Sequence, residues 1–236
     1  MKHISLKSMM VLALGGMMIV SQTPAYAQFG GLLGNKKSAD AGGATIDKDT
    51  FAKSADQAAG NLLAARIAFL DAKAKMMEAL GVKADSVAKA SEALRAQEGS
   101  TSDKVKALDT ASKTTADADK EFETKMAESA ELSAESKAKF AEGGGKFIDG
   151  VLLEKAQIET IQKLVEQGQS LVQSAGPLQK VGVLSVVKPV TTMSTMVPGD
   201  VKEGTLTLSK IMKFAQSQKV EIPGADKATA SLGSLN

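Results

Sequence analysis

The chain has 236 residues, 43% of them hydrophobic but only 3% aromatic, with 29 basic and 27 acidic side chains and no cysteine or tryptophan. Because its single histidine and tyrosine are His3 and Tyr26, the rest of the chain lacks the groups for His- and Cys-based catalysis, for zinc, copper and haem ligation, and for disulfides. We therefore expect a non-catalytic protein that holds no cofactor and no metal.

Residues 1–27 have the pattern of a secretory signal peptide. Two lysines precede an apolar run at 9–20, which is shorter than the roughly 20 residues of a membrane span, and residues 25–27 read Ala-Tyr-Ala, with small residues at the cleavage positions. We predict cleavage before Gln28 and export to the periplasm or the extracellular space. An uncleaved membrane anchor is the alternative.

Removal of this segment takes away two lysines and no acid, so the mature chain would carry equal numbers of basic and acidic side chains. A balanced chain lacks the basic surplus that attracts nucleic acid or anionic lipid. It also contains only two arginines, Arg66 and Arg95. We therefore expect no nucleic-acid partner.

Residues 28–45 are rich in glycine and small polar residues, and we predict a flexible Gly-rich leader ahead of the first helix. Three large apolar residues interrupt this composition: Phe29, Leu32 and Leu33. They are candidates for contact with a partner protein. The alternative, which we favour, is that they simply pack against the helical part of the chain.

The first helix is predicted over residues 47–80, followed by Gly81 as a left-handed cap. Its apolar residues alternate in steps of four and three, the seven-residue repeat typical of coiled-coil packing. Several of them are alanines, so a partner helix is able to approach closely. The predicted buried face consists of Phe51, Ala55, Ala58, Leu62, Ala65, Phe69, Ala72, Met76 and Ala79.

Two further helices are predicted next. Residues 83–97 carry apolar side chains at helical spacing, and a third helix follows over 103–130. Ser100, Thr101 and Ser102 are N-cap candidates for that third helix. Its apolar face is one narrow stripe in a densely charged segment, which indicates broad solvent exposure. The stripe consists of Val105, Leu108, Ala111, Thr115, Ala118, Phe122 and Met126.

A fourth helix is predicted to begin after Ser133 and to be closed by Gly176 and Pro177. A run of three glycines interrupts it. Since each glycine costs about 1 kcal/mol relative to alanine in a helix, we predict a break at that run. The candidate hinge residues are Gly143, Gly144 and Gly145. Beyond them the helix is predicted to be the most buried one, through Phe147, Ile148, Val151, Leu152, Ile158, Ile161, Leu164, Val165, Leu171 and Val172.

Residues 178–208 fit two interpretations. Their valine and threonine content, with a Pro-Gly-Asp sequence at 198–200 between two apolar runs, is typical of a β-hairpin. The apolar spacing also fits a proline-kinked helix followed by another helix that has Pro198 in its first turn. We favour helix, because a single hairpin would have no sheet to join beside four helices.

The apolar part of this region, residues 178–197, also has a functional interpretation as a membrane or lipid contact. It is shorter than a membrane span and is interrupted by Lys180 and Lys188, so we favour packing in the protein core. The candidate contact residues are Val181, Leu184, Val187, Val190, Met193 and Val197.

The end of the chain, residues 220–236, is rich in small residues and is predicted to be a loose tail. The sequence as a whole predicts an all-α, elongated up-and-down bundle of five or six helices, two of them long, over residues 46–219. We expect an exported binding or structural module that acts through contacts with a protein partner or with itself. The alternative is a membrane-active or lipid-binding helical protein.

Overall fold

The computed structural model describes residues 47–233, and within this range the chain forms six α-helices and no strand. The all-α prediction and the helical interpretation of 178–208 are therefore confirmed. The predicted signal peptide and leader lie outside the described residues. The helices are α1 (Lys48–Ala79), α2 (Asp85–Arg95), α3 (Thr101–Glu128), α4 (Ala134–Ser174), α5 (Lys180–Ser217) and α6 (Ala225–Leu232).

The predicted apolar faces of α1 and α3 are both confirmed, because every residue of the two stripes is buried. The helix ends follow from local chemistry. The side chain of Asp47 accepts hydrogen bonds from the first turn of α1, from the backbone N–H of Asp49 and of Thr50, both at 2.9 Å. At the other end Gly81 adopts a left-handed conformation with φ +71°, as predicted, and so turns the chain toward α2.

The long helices alternate in direction. Phe51 near the start of α1 lies against Gly168 near the end of α4, and Met76 near the end of α1 lies against Gly143 near the start of α4. These two helices are therefore antiparallel. Phe140 and Phe214 pack edge to face with ring centroids 5.0 Å apart; since Gly168 also contacts the start of α5, α4 and α5 are antiparallel as well.

Ion pairs fix the direction of α3. Asp56 and Lys104 pair near the starts of α1 and α3 with 2.8 Å between Oδ1 and Nζ. Lys73 and Asp119 pair near the ends of the same two helices. Hence α1 and α3 are parallel, and with the antiparallel pairs above this gives the predicted up-and-down bundle.

The predicted break at Gly143, Gly144 and Gly145 is wrong, since α4 is continuous through all three residues. A Cβ atom on Gly143 would lie 2.6 Å from Cγ of Met76, and one on Gly144 would lie 2.7 Å from Cδ1 of Ile222. The glycines therefore let α1 and the segment after α5 approach the backbone of α4. Close packing on two sides offsets the poor helix propensity of the run.

Substitution of Gly143 by alanine should lower the free energy of unfolding by about 1–3 kcal/mol, the usual cost of overpacking a core. The new methyl would also lie 2.9 Å from the backbone oxygen of Ala72, which is unable to move aside easily. Gly60 in α1 is the matched control, because a Cβ atom there has nothing within 4 Å. Gly60→Ala should instead raise stability by about 0.5–1 kcal/mol. Urea unfolding of both variants measures the change in the free energy of unfolding. A change of the same sign in the two variants would contradict the packing role of Gly143.

Helix α5 continues through two prolines. Pro189 and Pro198 both lie inside Lys180–Ser217, so the expectation that Pro198 begins a new helix is wrong. A proline inside a helix costs about 3 kcal/mol, because it removes a backbone hydrogen bond and crowds the preceding turn. Burial of one long stripe offsets this cost. The stripe contains Val183, Val187, Val190, Met193, Val197, Gly204, Leu208, Ile211 and Ala215.

The prediction of a loose tail is wrong for the residues that form α6. This helix packs against α4, and Ile222 and Ala228 are both buried. Lys155 of α4 donates a hydrogen bond to the backbone oxygen of Ser231. Among the small residues that suggested a loose segment, Ala228 is the one buried in α6, whereas Thr229, Ala230 and Ser231 are exposed.

Candidate functional site

The sequence-predicted contact residues fall into three groups. Phe29, Leu32 and Leu33 lie outside the described residues. The glycine run lies inside α4, where it contacts other parts of the protein. Of the six candidate membrane-contact residues, four are buried in the core of the bundle and two are exposed. The buried ones are Val187, Val190, Met193 and Val197, and the exposed ones are Val181 and Leu184.

The two exposed residues belong to an apolar surface at the start of α5. Leu178, Val181 and Leu184 are 98%, 78% and 50% exposed. Val181 and Leu184 are three residues apart in α5, which brings their side chains to neighbouring positions of the helix, and Leu178 lies in the turn that precedes the helix. We call these three residues the α5 apolar end. Isolated exposed leucines are common on proteins, but a group of large apolar residues at one place indicates a contact surface.

Helix α5 is the one helix among residues 47–233 that is long and apolar enough to cross a membrane by length and composition, with a mean hydropathy of 1.2 over its best 18-residue window. A third of that window (33%) is buried inside the bundle. Core helices of soluble proteins pass the same test. Insertion of the whole helix would also require the buried stripe of α5 to leave the core. Contact through the exposed end of α5 would leave the core intact.

A second group of residues lies in the middle of the bundle and joins three helices. The guanidinium of Arg66 in α1 pairs with Asp200 of α5 and lies 3.6 Å from Oε1 of Glu154 in α4. The Arg66 guanidinium also lies over the ring of Phe69, 5.9 Å from its centroid, a favourable arrangement for a cation. We call Arg66, Glu154 and Asp200 the charged triad.

Glu154 is the most buried member of the charged triad, with 2% of its surface exposed. Burial raises the pKa of this carboxyl to about 7; the Arg66 guanidinium lowers it and the nearby Asp200 carboxylate raises it. Removal of a carboxylate from water costs more than the single guanidinium returns, because that guanidinium is shared between two acids. Near neutral pH, Glu154 is therefore able to exchange a proton or to bind a cation.

The charged triad opens into a cleft of about 490 Å³ between α1, α3, α4 and α5. Three buried side-chain atoms among the described residues have no hydrogen-bond partner, and the residues that carry them all line this cleft: Arg66 Nε, Ser112 Oγ and Glu154 Oε2. Buried polar atoms are normally paired in proteins. Their concentration at one cleft indicates that something polar fills it.

Polar contacts join α1 to α4 and to α3 in this part of the bundle. On the α1–α4 interface, Asn61 donates a hydrogen bond to Gln157 with 3.2 Å between Nδ2 and Oε1. On the α3 side, Lys73 pairs with Asp119. Both pairs join helices far apart in sequence, so they hold the helices around the charged triad at fixed distances.

The charged triad was not predicted from the sequence, although one signal was present. The apolar positions of α4 run Val151, Ile158, Ile161, and the seven-residue repeat requires a further buried position at residue 154. An acid at a core position of a repeat predicts a buried charge with a partner. The partner was not predictable from the sequence, because Arg66 follows Ala65 in α1 and nothing local distinguishes it from a surface arginine.

The structure gives no support to acid–base sites elsewhere on the α3–α4 segment. Four acidic residues of this segment are all exposed: Glu121, Glu128, Glu131 and Glu135. Over residues 47–233 no group of three or more His, Cys, Asp or Glu side chains is placed to hold a metal ion. The charged triad with its cleft is therefore the main candidate for ligand chemistry.

Replacement of Glu154 by glutamine should remove a dependence of stability on pH. The folded-state pKa of Glu154 is raised from 4.5 to about 7, so its contribution to stability is fully present below pH 4.5 and is lost as pH rises to about 7. The free energy of unfolding of Glu154→Gln, relative to that of the wild type, should therefore rise by up to about 3 kcal/mol as pH increases from 4.5 to about 7. Urea unfolding at several pH values measures the gain. A difference between variant and wild type that does not change with pH would contradict this prediction. Glu166→Gln, at an exposed acid of the same helix, is the matched control.

Together these observations define a class: an up-and-down helical bundle with a charged cleft between four of its helices and an exposed apolar end on the fifth helix. No protein-family model matches the chain, and neither a curated protein nor a solved structure matches it significantly. The residues of this chain are therefore the only basis for a proposed function.

Proposed function

We propose that the protein is an exported, non-catalytic binding or structural module that acts in the periplasm or the extracellular space through protein–protein contacts. The proposed export depends on the signal-peptide pattern of residues 1–27. The non-catalytic character is supported by the absence of His and Cys from residues 28–236. Both parts have separate tests.

The α5 apolar end is the observation that carries the proposed binding role. Three large apolar side chains are exposed at or just before the start of α5, whereas most other apolar residues of α5 face the core. Exposure of such a group costs free energy that a partner surface recovers on binding. A second copy of the chain or another exported protein would each satisfy this requirement.

Recovery of tagged protein from its native envelope or culture medium tests the binding role. The wild type should retain a partner, or elute as an oligomer in light-scattering chromatography, and the Leu178→Asp/Val181→Asp variant should lose it. Leu206→Asp is the matched control, since Leu206 lies on the same helix and is 57% exposed. Identical behaviour of all three proteins would contradict a contact at the α5 apolar end.

Export and the absence of catalysis are tested on the same material. The mass of the exported protein should correspond to a chain that begins at Gln28. A mass that includes residues 1–27 would contradict cleavage. Turnover of a small molecule by the purified protein, abolished in Glu154→Gln, would contradict the non-catalytic role and assign acid–base chemistry to the charged triad.

The second candidate function is contact with a lipid surface through the same apolar end. It is favoured by Lys180 beside Val181 in α5 and by Lys48 at the start of α1, which lies near Leu178. Flotation with vesicles of anionic lipid tests it. Binding that survives high salt and is lost in Val181→Asp would support it. Val187→Asp is unsuitable as a probe because Val187 is buried.

A further inference from the structure

One unpaired atom of the charged triad, Oε2 of Glu154, indicates what its cleft is able to bind. Oε2 of Glu154 accepts a hydrogen bond when the carboxyl is ionised, and nothing in the described residues donates to it. Its other oxygen, Oε1, lies 3.6 Å from the guanidinium, which is longer than a normal hydrogen bond. Glu154 therefore lacks a close donor, although almost no part of it reaches water.

The charges around Glu154 leave a negative surplus. The triad itself has two carboxyl groups, on α4 and α5, for one guanidinium on α1. Along the whole cleft, acidic side chains exceed basic ones by one. The other charged groups that line it are Lys73 of α1, Lys113, Asp119, Lys120 and Glu123 of α3, and Glu203 of α5. A positively charged ligand would reduce this surplus.

The shape and lining of the cleft favour an organic cation over a metal ion. Phe69 and Phe147, packed edge to face with centroids 4.9 Å apart, form part of the lining beside the charged triad. Aromatic rings attract organic ammonium groups and accept their hydrocarbon chains. The cleft volume of about 490 Å³ exceeds many times the roughly 30 Å³ that one water occupies in the liquid.

We propose that this cleft binds a small primary ammonium compound whose N–H groups donate to Oε2 of Glu154, with its hydrocarbon part against Phe69 and Phe147. Gly204 of α5 packs against Phe69, since a Cβ atom there would lie 3.3 Å from Cζ of Phe69. The ligand is defined by one positive charge, at least one N–H donor and a short apolar chain. This site is separate from the α5 apolar end and does not depend on the function proposed for that surface.

Titration of the intact protein with pentylammonium, followed by amide chemical shifts in NMR spectra, tests the proposal. Shifts around residues 66, 154 and 200 should saturate with a Kd of about 1 mM, a reasonable affinity for so few non-hydrogen atoms. Two matched compounds isolate the chemistry. 1-Pentanol lacks the charge and pentyltrimethylammonium lacks the N–H donor, and each should bind at least about tenfold more weakly, the usual consequence of leaving a buried carboxylate unpaired.

The pH dependence of binding provides a second readout. Free Glu154 is partly protonated near neutrality, because burial raises its pKa to about 7. The cation requires the ionised form, so the Kd should fall about tenfold between about pH 6 and pH 8, with release of a proton. A purely structural role of Glu154 would leave the affinity for an added amine unaffected by pH in this range.

Variants connect the binding to the charged triad. Glu154→Gln should weaken binding of pentylammonium at least about tenfold at about pH 8 and abolish its pH dependence. Asp200→Asn should also weaken binding of pentylammonium, because Glu154 would then be the only acid of the charged triad that pairs with the Arg66 guanidinium. Glu166→Gln, the same change at an exposed position of α4, should leave the Kd within about twofold, as distant exposed charges are screened.

Three results would overturn the proposal. One is the absence of saturable binding by pentylammonium at about pH 8, which would leave ordered water as the occupant of the cleft. Another is equal binding by 1-pentanol, or unchanged binding in both Glu154→Gln and Asp200→Asn. The third is a stronger response of the same amide resonances to Ca²⁺ or Mg²⁺ alone, which would assign the site to an inorganic cation.

Discussion

Replacement of Arg66 by methionine should lower the free energy of unfolding by about 3–5 kcal/mol at about pH 8, the usual cost of breaking a buried ion pair. The guanidinium is the shared partner of Glu154 and Asp200. Its removal leaves two carboxylates near each other in the interior, where Glu154 has almost no access to water. Methionine fills a similar volume, so the loss would come from charge and not from a cavity.

Two further variants show whether the cost arises at Glu154. Near pH 5 the same substitution should cost less, since Glu154, with a pKa of about 7, is then protonated in the folded protein. The double variant Arg66→Met/Glu154→Gln should recover much of the loss at about pH 8. Coupling of this kind between two residues is what a double-mutant cycle measures.

The only other arginine provides the control. Arg95 pairs with Asp71, but both side chains are more than a third exposed. Exposed ion pairs contribute about 0–1 kcal/mol, so Arg95→Met should have a small effect at every pH. If the two arginine substitutions destabilise the protein equally, the charged triad is not a buried ion pair in solution.

The contrast between these arginines shows what the sequence can predict. The apolar stripes of α1 and α3 were predicted residue by residue, because periodic burial is a property of each helix by itself. The burial of Arg66 is not. It follows from the register in which α1 meets α4 and α5, and that register results from the fit of many side chains across the bundle.

The same distinction explains the wrong predictions. Glycine runs and internal prolines disfavour helix locally, so residues 143–145 and Pro198 suggested helix boundaries. Both lie inside long helices, because Gly143 and Gly144 allow close contacts with other segments and the stripe of α5 continues past Pro198. Tertiary packing overrides local propensity at these positions, and only a structure shows the contacts responsible.

Part of the candidate site was nevertheless within reach of the sequence. Residue 154 occupies a core position of the α4 repeat, so an acid there was a sign of a buried charge. The α5 apolar end also lies within the apolar region 178–197, which the sequence indicated as a candidate membrane or lipid contact. Periodicity alone did not separate the exposed residues Val181 and Leu184 from the buried Val187, because all three follow helical spacing.

Replacement of Phe140 by alanine should lower the free energy of unfolding by about 3–5 kcal/mol, the cost of removing a large side chain from a packed core. Phe140 is fully buried and packs edge to face on Phe214 near the end of α5. It precedes the glycine run of α4, so it also tests whether the first turns of that helix fold with the rest. If the chain were hinged at residues 143–145, loss of this contact would release only a short segment and cost little.

Far-UV circular dichroism during urea unfolding is the suitable measurement, because residues 28–236 contain no Trp or Tyr for fluorescence. Phe140→Leu should cost less than Phe140→Ala, since it retains much of the buried volume. Leu206→Ala on the exposed side of α5 should change stability by less than about 0.5 kcal/mol. A small loss for Phe140→Ala, or a separate early unfolding step in the wild type, would show that α4 is divided at its glycines. A single cooperative transition with a large loss would mean that the glycine run holds helices together instead of separating them.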